Sequence, residues 1–300
     1  MTIAAQIRIG TSGWRYPPWR GRFYPADLAR DGELAFASRQ FPAIELNGSF
    51  YALQRPTTYL RWATQTPDGF VFAVKAPRHV THILRLREAR LAMANFFASG
   101  LLALGPKLGP ILWQLPPSLE WDAPLLEAFL SALPHDSDAA LQLARDSEGY
   151  RRGDERPGPA EPLRLRHALE VRNASFCCPE AVALLRRHRV ALVVADAGGR
   201  WPEVCDVTAD FVYLRLHGAP RLYASGYSDA QLATWGRRIR TWAAGGTPDD
   251  MARISQEPPP AASTRPVFCF FDNTMTALAT ENALQLARTL ALDDQLHIRD

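Results

Sequence analysis

The feature that most constrains the fold is a repeated order of elements along the chain. Short runs rich in β-branched and aromatic residues recur at 7–10, 43–47, 70–75, 111–115, 168–172, 191–196, 211–217 and 267–272. Segments with apolar residues at helical spacing lie between them, at 84–104, 123–133, 179–188, 229–243 and 276–290. Such alternation predicts an α/β protein with parallel strands. About eight units close a single (β/α)8 TIM barrel better than they fill an open sheet.

Several predicted helices carry their own start signals. Pro179 stands just inside one helix, and Ser228 or Asp229 caps another. Asn273 or Thr274 is expected to open the last helix.

Two segments interrupt the repeated order. Residues 147–165 are charged and rich in Gly and Pro, and residues 245–264 contain three consecutive prolines. Neither has the repeat or the length of a domain boundary. The sequence therefore predicts one domain over 1–300 with two long loops.

Composition excludes several classes of protein. With 47% hydrophobic, 22% charged and 10% aromatic residues, the chain is neither collagen-like nor intrinsically disordered. No apolar run approaches the roughly 20 residues of a membrane span, and the N-terminus does not resemble a secretory signal. The four cysteines lack zinc-site spacing. We expect a cytoplasmic protein with reduced thiols, no membrane partner and no cofactor.

Lysine is scarce among the basic residues. Of the 34 Lys and Arg residues, only Lys75 and Lys107 are lysines. A retained lysine weakly indicates a position where an ammonium that can lose its proton or form a Schiff base is required, although chance explains two examples equally simply.

Strand parity gives the strongest functional signal. In a strand, residues two apart point to the same face, and in a barrel one face is the lumen. The pairs Glu45 and Asn47, and Glu170 and Arg172, share a face in this way, as do Tyr213, Arg215 and His217. Polar groups gather at the carboxyl ends of seven strands, which is where barrel active sites are built. The sequence therefore predicts one polar pocket there.

Four residues of this pocket are candidates for catalysis: Glu45, Lys75, Glu170 and His217. Two carboxylates in one pocket can supply an acid and a base, but they can equally serve as partners of Arg172, Arg215 and Lys75. His217 is either a proton carrier or a hydrogen-bonded structural group. Lys75 is either a Schiff-base lysine or an anion binder.

The remaining candidates are assigned to substrate binding. They are Trp14, Asn47, Tyr51, Arg78, His82, Gln114, Arg172, Asp196, Tyr213, Arg215 and Asp272. The guanidinium groups favour a phosphate or carboxylate ligand.

The first loop, GTSGWRYPPWRGRFYP, interleaves aromatic residues with arginines. Its side chains can stack on sugars or bases, or they can simply cap the barrel mouth. It lacks the spacing of a phosphate-binding loop.

A metal site is a further possibility. Glu45, Glu170, Asp196, His217 and Asp272 offer ligands suited to Mg, Mn or Zn. No local motif supports such a site, and the neighbouring cations compete for the same carboxylates.

Several motifs resemble one family. They are IGTSGWRYPPWRGRFYP at 9–25, FPAIELNGSFY at 41–51, FVFAVKAPRHVTH at 70–82, LGPILWQLPPS at 108–118, LEVRNASF at 169–176, FVYLRLHG at 211–218 and FDN at 271–273. In this order they resemble the YecE-like family, the domain-of-unknown-function family numbered 72. The resemblance implies a TIM barrel whose biochemical activity is not established.

The resemblance extends to individual positions. Those matching the family motifs are Gly13, Trp14, Glu45, Asn47, Tyr51, Lys75, Arg78, Thr81, His82, Gln114, Glu170, Arg172, Asp196, Tyr213, Arg215 and His217. Asn173, Phe176 and Asp272 stand where this family usually has His, Trp and Asn. The last departure argues against Asp272 as an essential metal ligand.

Three functions follow as hypotheses. The leading one is an enzyme that acts on a small, polar, anionic substrate by hydrolysis, isomerisation or lyase chemistry. The second is a metal-dependent barrel similar to endonuclease IV or to sugar isomerases. The third is a nucleic-acid-binding barrel without catalysis, against which the net charge of only +3 argues.

Overall fold

Nine parallel strand segments form the centre of the fold. The computed structural model describes residues 7–148, 159, 161–219 and 221–292. In chain order its strands are β1 (Ile7–Ser12), β2 (Ala43–Leu46), β3 (Val71–Lys75), β4 (Leu108–Gln114), β5 (His167–Glu170), β6 (Ala191–Leu192), β7 (Val194–Asp196), β8 (Val212–Leu216) and β9 (Val267–Phe271).

The sheet is nearly closed. Its spatial order is β6-β5-β4-β3-β2-β1-β9-β8-β7, and every pair is parallel. The edge segments β6 and β7 are separated by Val193 alone, whose N–H donates to the Leu169 carbonyl at 3.0 Å. The two edges are therefore consecutive stretches of chain, and the sheet curves into a barrel. The predicted run 191–196 is split into two segments.

Helices connect the strands. They are α1 (Glu33–Gln40), α2 (Gly48–Tyr51), α3 (Pro56–Gln65), α4 (Arg90–Ala98), α5 (Ala123–Ser131), α6 (Ser137–Ala144), α7 (Pro179–Arg187), α8 (Asp229–Ala243) and α9 (Leu278–Thr289). The predicted starts at Pro179 and Ser228 are confirmed, and Ser228 forms a capping box with Gln231. The prediction for the last helix is wrong, because Ala277 is its N-cap residue.

The long helix predicted over 84–104 is also wrong. Arg85, Leu86 and Glu88 have positive φ angles of 51°, 68° and 45°, so the chain turns before α4 begins. A short π-helical turn, His79–Ile83, precedes this bend, and a 3-10 segment, Leu101–Lys107, follows α4. Apolar periodicity continues through the bend because Leu86 and Ala89 are buried in the core.

The two predicted loops differ in how much of them is described. Residues 245–264 contain no helix or strand, as predicted. Of the predicted loop 147–165, residues 149–158 and 160 lie outside the described part of the chain. In the described ranges, no helix is both long and apolar enough to cross a membrane.

Two apolar clusters surround and fill the barrel. The larger one lies between the strands and the helices, and it includes Trp19, Trp113 and Trp242. The smaller one includes Ala43, Ala73, Leu112, Ala168, Tyr213 and Phe270. Each of these six residues precedes a polar residue two positions further along its strand or just beyond it. The inward faces therefore change from apolar to polar toward the carboxyl ends of the strands.

Candidate active site at the barrel mouth

The carboxyl ends of the strands, called the mouth below, are organised around Arg215 of β8. Its side chain is 1% exposed. Its Nε and Nη2 donate to Oε2 and Oε1 of Glu45 at 3.0 and 2.9 Å, and its Nη1 donates to Oε2 of Glu170 at 2.7 Å. Its Nη2 also lies 3.2 Å from Oδ2 of Asp272. One guanidinium therefore joins carboxylates that come from three separate strands or strand ends.

Glu45 is fully hydrogen-bonded. Besides Arg215, its Oε1 accepts from Ser12 Oγ and its Oε2 from Tyr213 OH, both at 2.7 Å. Burial and the Glu45 carboxylate raise the pKa of Tyr213 well above its usual value. The Tyr213 hydroxyl therefore remains a donor to Glu45. The arginine-pairing alternative considered for Glu45 is the one that the structure forms.

Glu170 is held between two arginines. Arg172 Nε donates to its Oε1 at 2.6 Å, opposite the bond from Arg215 to Oε2. Burial alone would raise the pKa of Glu170, but Arg172 and Arg215 hold it well below its usual value. Glu170 is therefore ionised at neutral pH, which favours a charge-balancing role over that of a proton donor.

His217 forms a dyad with Asp272. Its Nδ1 donates to Asp272 Oδ2 at 2.9 Å. Burial would raise the pKa of Asp272, but Arg215 and His217 hold it far below its usual value, so this carboxylate only accepts. The buried Nε2 of His217 has no hydrogen-bond partner among the described residues, and it lies 3.8 Å from Glu170 Oε1. The rings of Trp201 and Tyr223 pack edge-on against the imidazole.

Lys75, at the end of β3, is a buried amine that has no carboxylate partner within the described part of the chain. Its side chain is 9% exposed, and its Nζ lies 4.1 Å from the centroid of the Phe50 ring. Among the described residues, no carboxylate oxygen lies within 4.0 Å of this nitrogen and no acceptor receives a hydrogen bond from it. Burial and the Arg215 guanidinium lower the pKa of Lys75 to about 8.

A second group of cations surrounds His82. Arg172 lies over the Trp201 ring, with Cζ 3.6 Å from the centroid. The Nη atoms of Arg172 donate no hydrogen bond within the described ranges. Burial, Lys75, Arg172 and the exposed Arg78 lower the pKa of His82 to about 4. This side of the mouth therefore carries cations whose donors are unused.

Gln114 fixes the orientation of that imidazole. Its Nε2 donates to His82 Nε2 at 3.3 Å, and His82 Nδ1 in turn donates to Thr81 Oγ1 at 2.8 Å. The neutral ring is thus held in a single tautomer.

The other predicted site residues form no hydrogen bond to Arg215 in the described ranges. Trp14 is buried, with its ring edge-on to Trp62 of α3. Asn47 has a buried Oδ1 without a hydrogen-bond partner in the described part of the chain. Tyr51 is 72% exposed at the rim. Asp196 Oδ1 accepts from the Gly198 N–H at 3.3 Å.

Four residues of the mouth were not predicted: Ser12, Phe50, Trp201 and Tyr223. Ser12 stands opposite Glu45 in the register of β1 and β2, and its position at a strand end was an available signal. The others come from loops or a short helix, where parity gives no information. Tyr223 has a φ of 65°, a left-handed conformation that is uncommon for a residue other than glycine.

The aromatic residues of the first loop pack against one another. Trp19 and Tyr24 are at most 1% exposed, and Phe23 stacks on Phe41 with centroids 5.5 Å apart. Arg20 pairs with Glu33 at 2.7 Å. The loop therefore forms a packed wall of the barrel, and the stacking faces of Trp19 and Tyr24 are not available to a base.

The carboxylates of the mouth are not arranged as a metal site. Their oxygens already accept from Ser12, Tyr213, Arg172, Arg215 and His217. Across 7–148, 159, 161–219 and 221–292, no group of three His, Cys, Asp or Glu side chains is placed to hold a metal ion.

Comparison with known proteins gives one family match. A family model described as a protein of unknown function, DUF72, matches residues 8–299. The UPF0759 protein YecE of Escherichia coli (strain K12) is 30% identical over 152 residues, which is 50% of this chain and 52% of that protein. The UPF0759 protein YunF of Bacillus subtilis (strain 168) is 33% identical over 116 residues, 37% of this chain and 40% of that protein. The chain therefore spans about half the length, or less, of these relatives.

A solved structure shares the fold. A DUF72 family protein from Thermotoga maritima MSB8 superimposes with a TM-score of 0.69 and 23% identity, covering 95% of this chain and 99% of that one. At this identity the likeness shows the barrel fold alone.

Proposed function

The chain belongs to the DUF72 family of proteins of unknown function, and on that premise we propose that the mouth is the active site of an enzyme that acts on a small, polar, anionic substrate. We also propose that the barrel is an eight-stranded TIM barrel in which β6 and β7 are one interrupted strand. The support for this is that Val193 alone separates the two segments.

The functional proposal rests on a difference among the polar groups of the mouth. Some of them have hydrogen-bond partners among the described residues, and others do not. All three guanidinium nitrogens of Arg215 have carboxylate partners, which belong to Glu45, Glu170 and Asp272. Lys75 and the Nη atoms of Arg172, in contrast, have no acceptor among the described residues. Unpaired buried donors cost free energy, and active sites are where such costs are tolerated. A phosphate or carboxylate would supply acceptors for these donors.

This division assigns different roles to the predicted residues. Glu45, Glu170 and Arg215 form an ion-paired framework that holds the strand ends together. Arg78 and Arg172 would bind the anionic group, and Lys75 would contact the neighbouring part of the substrate. His217 would transfer a proton at Nε2, because Asp272 orients the ring through Nδ1 and leaves Nε2 free to accept.

Anion binding can be tested without knowledge of the substrate. Inorganic phosphate, added at constant ionic strength, should raise the melting temperature of the unmodified protein by mass action. Arg78→Met, which removes an exposed side chain, should weaken this stabilisation without changing the fold, and Arg172→Met should abolish it. Arg90→Met is the matched control, since it removes an exposed arginine whose one partner among the described residues is Asp146. Equal phosphate stabilisation in all four proteins would contradict the proposal.

A further inference from the structure

We propose that Lys75 forms an imine with an aldehyde or ketone group of the substrate, so that the mouth takes an anionic carbonyl compound. This inference rests on the proposed function and adds a covalent step and a substrate class to it.

The first support is the position of the amine. Lys75 Nζ lies at the end of a strand at the mouth with little exposure, and no carboxylate of the described residues pairs with it. The nearby Glu45 and Glu170 have their oxygens occupied by Arg215, Arg172, Ser12 and Tyr213. An ammonium that merely balanced charge would be expected to take one of these oxygens. Here the arginines take them, and the lysine is left available to a ligand.

The second support is the environment of the amine. The Phe50 face and burial reduce the solvation that an ammonium requires. Burial and Arg215 lower the pKa of Lys75 to about 8, against the opposing effect of Glu45, Asp272 and Glu170. About a tenth of the amine is therefore neutral and nucleophilic at pH 7, compared with well under about a hundredth for an ordinary lysine. An arginine at position 75 would remain a cation and could not react in this way.

Imine formation begins with the neutral amine of Lys75. The lone pair of Nζ forms a bond to the carbonyl carbon, and the carbonyl oxygen takes up a proton. Nζ loses a proton, the hydroxyl of this carbinolamine leaves as water after a second protonation, and the C=N bond forms. The net reaction consumes one amine, one carbonyl and one proton, releases one water and leaves the imine nitrogen protonated. His217 Nε2, which has no hydrogen-bond partner among the described residues, is suited to carrying these protons.

The only other lysine provides an internal control. Lys107 Nζ donates to the carbonyls of Ala63 and Thr66, both at 2.6 Å, and to Thr66 Oγ1 at 3.2 Å. Burial lowers the pKa of Lys107 as well, but these three bonds require protons on its nitrogen and occupy the positions from which it would attack a carbonyl. The two lysines therefore differ in whether backbone acceptors already hold the amine.

The decisive experiment uses formaldehyde, a carbonyl compound too small to need recognition. The native protein is treated with formaldehyde and cyanoborohydride, whose hydride reduces the imine to a secondary amine, and peptide mapping locates the product. Lys75 should be modified at least about tenfold faster than Lys107 at neutral pH. Modification of Lys107 at an equal or higher rate would overturn the inference. Lys107→Arg should retain the reaction and Lys75→Arg should lose it.

A matched pair of aldehydes separates the inference from the proposed function. Glyoxylate carries a carboxylate, and acetaldehyde is its neutral counterpart. Faster trapping of glyoxylate at Lys75, reduced by Arg172→Met, would support both. Trapping without a preference for glyoxylate would support the imine and contradict the anionic site. If the protein binds phosphate but none of these aldehydes is trapped at Lys75, the anionic site is supported and the imine is contradicted.

Discussion

The two ends of the barrel hold buried cations in different ways. At the amino end, Arg265 donates to the carbonyls of Gly245, Gly246 and Pro260 at 2.5, 2.8 and 2.6 Å, and Lys107 likewise binds backbone oxygens. At the mouth, Arg215 binds carboxylates from other strands, and Lys75 has no acceptor within the described residues.

Two buried histidines repeat this difference. His167, at the amino end of β5, uses both ring nitrogens, with Nδ1 accepting from Trp113 at 3.1 Å and Nε2 donating to the Pro134 carbonyl at 2.7 Å. At the mouth, His217 uses Nδ1, and its Nε2 has no hydrogen-bond partner among the described residues. Most polar groups of the amino end bind the local backbone, although Arg265 Nε is also buried without a partner in the described ranges. The polar groups of the mouth form one network across several strands, in which Lys75, His217 Nε2 and the Nη atoms of Arg172 have no partner within the described part of the chain.

The largest change in the free energy of unfolding is expected for Arg215, which lies at the centre of the ion-pair network of the mouth. Arg215→Met removes the cation that three buried carboxylates share, and it should lower the free energy of unfolding by about 3–5 kcal/mol. Arg265→Met removes only bonds to neutral carbonyls, and it should cost about 2 kcal/mol. Urea denaturation measures both. A cost for Arg265→Met as large as that for Arg215→Met would remove the distinction between the two ends.

The next largest effect is a dependence of the free energy of unfolding on pH, which results from the titration of Lys75. Its pKa is about 8 in the folded protein, whereas an unfolded lysine titrates near 10.4. Between these two pH values the unfolded state binds more protons than the folded state, so the free energy of unfolding rises with pH. Below about pH 8 the buried ammonium of Lys75 lowers that free energy by its full amount. The unmodified protein should gain up to about 3 kcal/mol across this window relative to Lys75→Met. Parallel stability curves for the two proteins would contradict the lowered pKa.

Loss of each lysine should have opposite consequences. Lys107→Met removes three hydrogen bonds and should lower the free energy of unfolding by about 2 kcal/mol at neutral pH. Lys75→Met removes an amine without an acceptor, and it should leave stability within about 1 kcal/mol of the original or increase it. Thermal melting of the two variants side by side provides the measurement. Greater destabilisation by Lys75→Met would indicate a structural role for Lys75.

The smallest effect is expected at the rim. Tyr51 is 72% exposed, so Tyr51→Ala should change the free energy of unfolding by less than about 0.5 kcal/mol. Calorimetry suffices to measure it, and a larger loss would extend the structural network beyond the buried groups.

Much of the architecture was predictable because it depends on short-range patterns. The runs at 7–10, 43–47, 70–75 and 267–272 fall on β1, β2, β3 and β9 with small differences at their ends. The helix over 229–243 was predicted with its bounds, since Ser228 and the apolar spacing are local signals. The prediction of one helix over 84–104 is wrong because the bend in this segment depends on positive φ angles at residues that do not favour them.

For the candidate site, the sequence by itself determined which residues face inward and at which end of the strands they lie, because side chains alternate with a fixed period of two. It did not determine which cation pairs with which carboxylate. Glu45 and Arg215 are separated by 170 positions, and their bond depends on the curvature that closes the sheet. Only the tertiary structure therefore decided that the arginines occupy the carboxylates and that Lys75 does not, since this outcome depends on competition among groups from different strands.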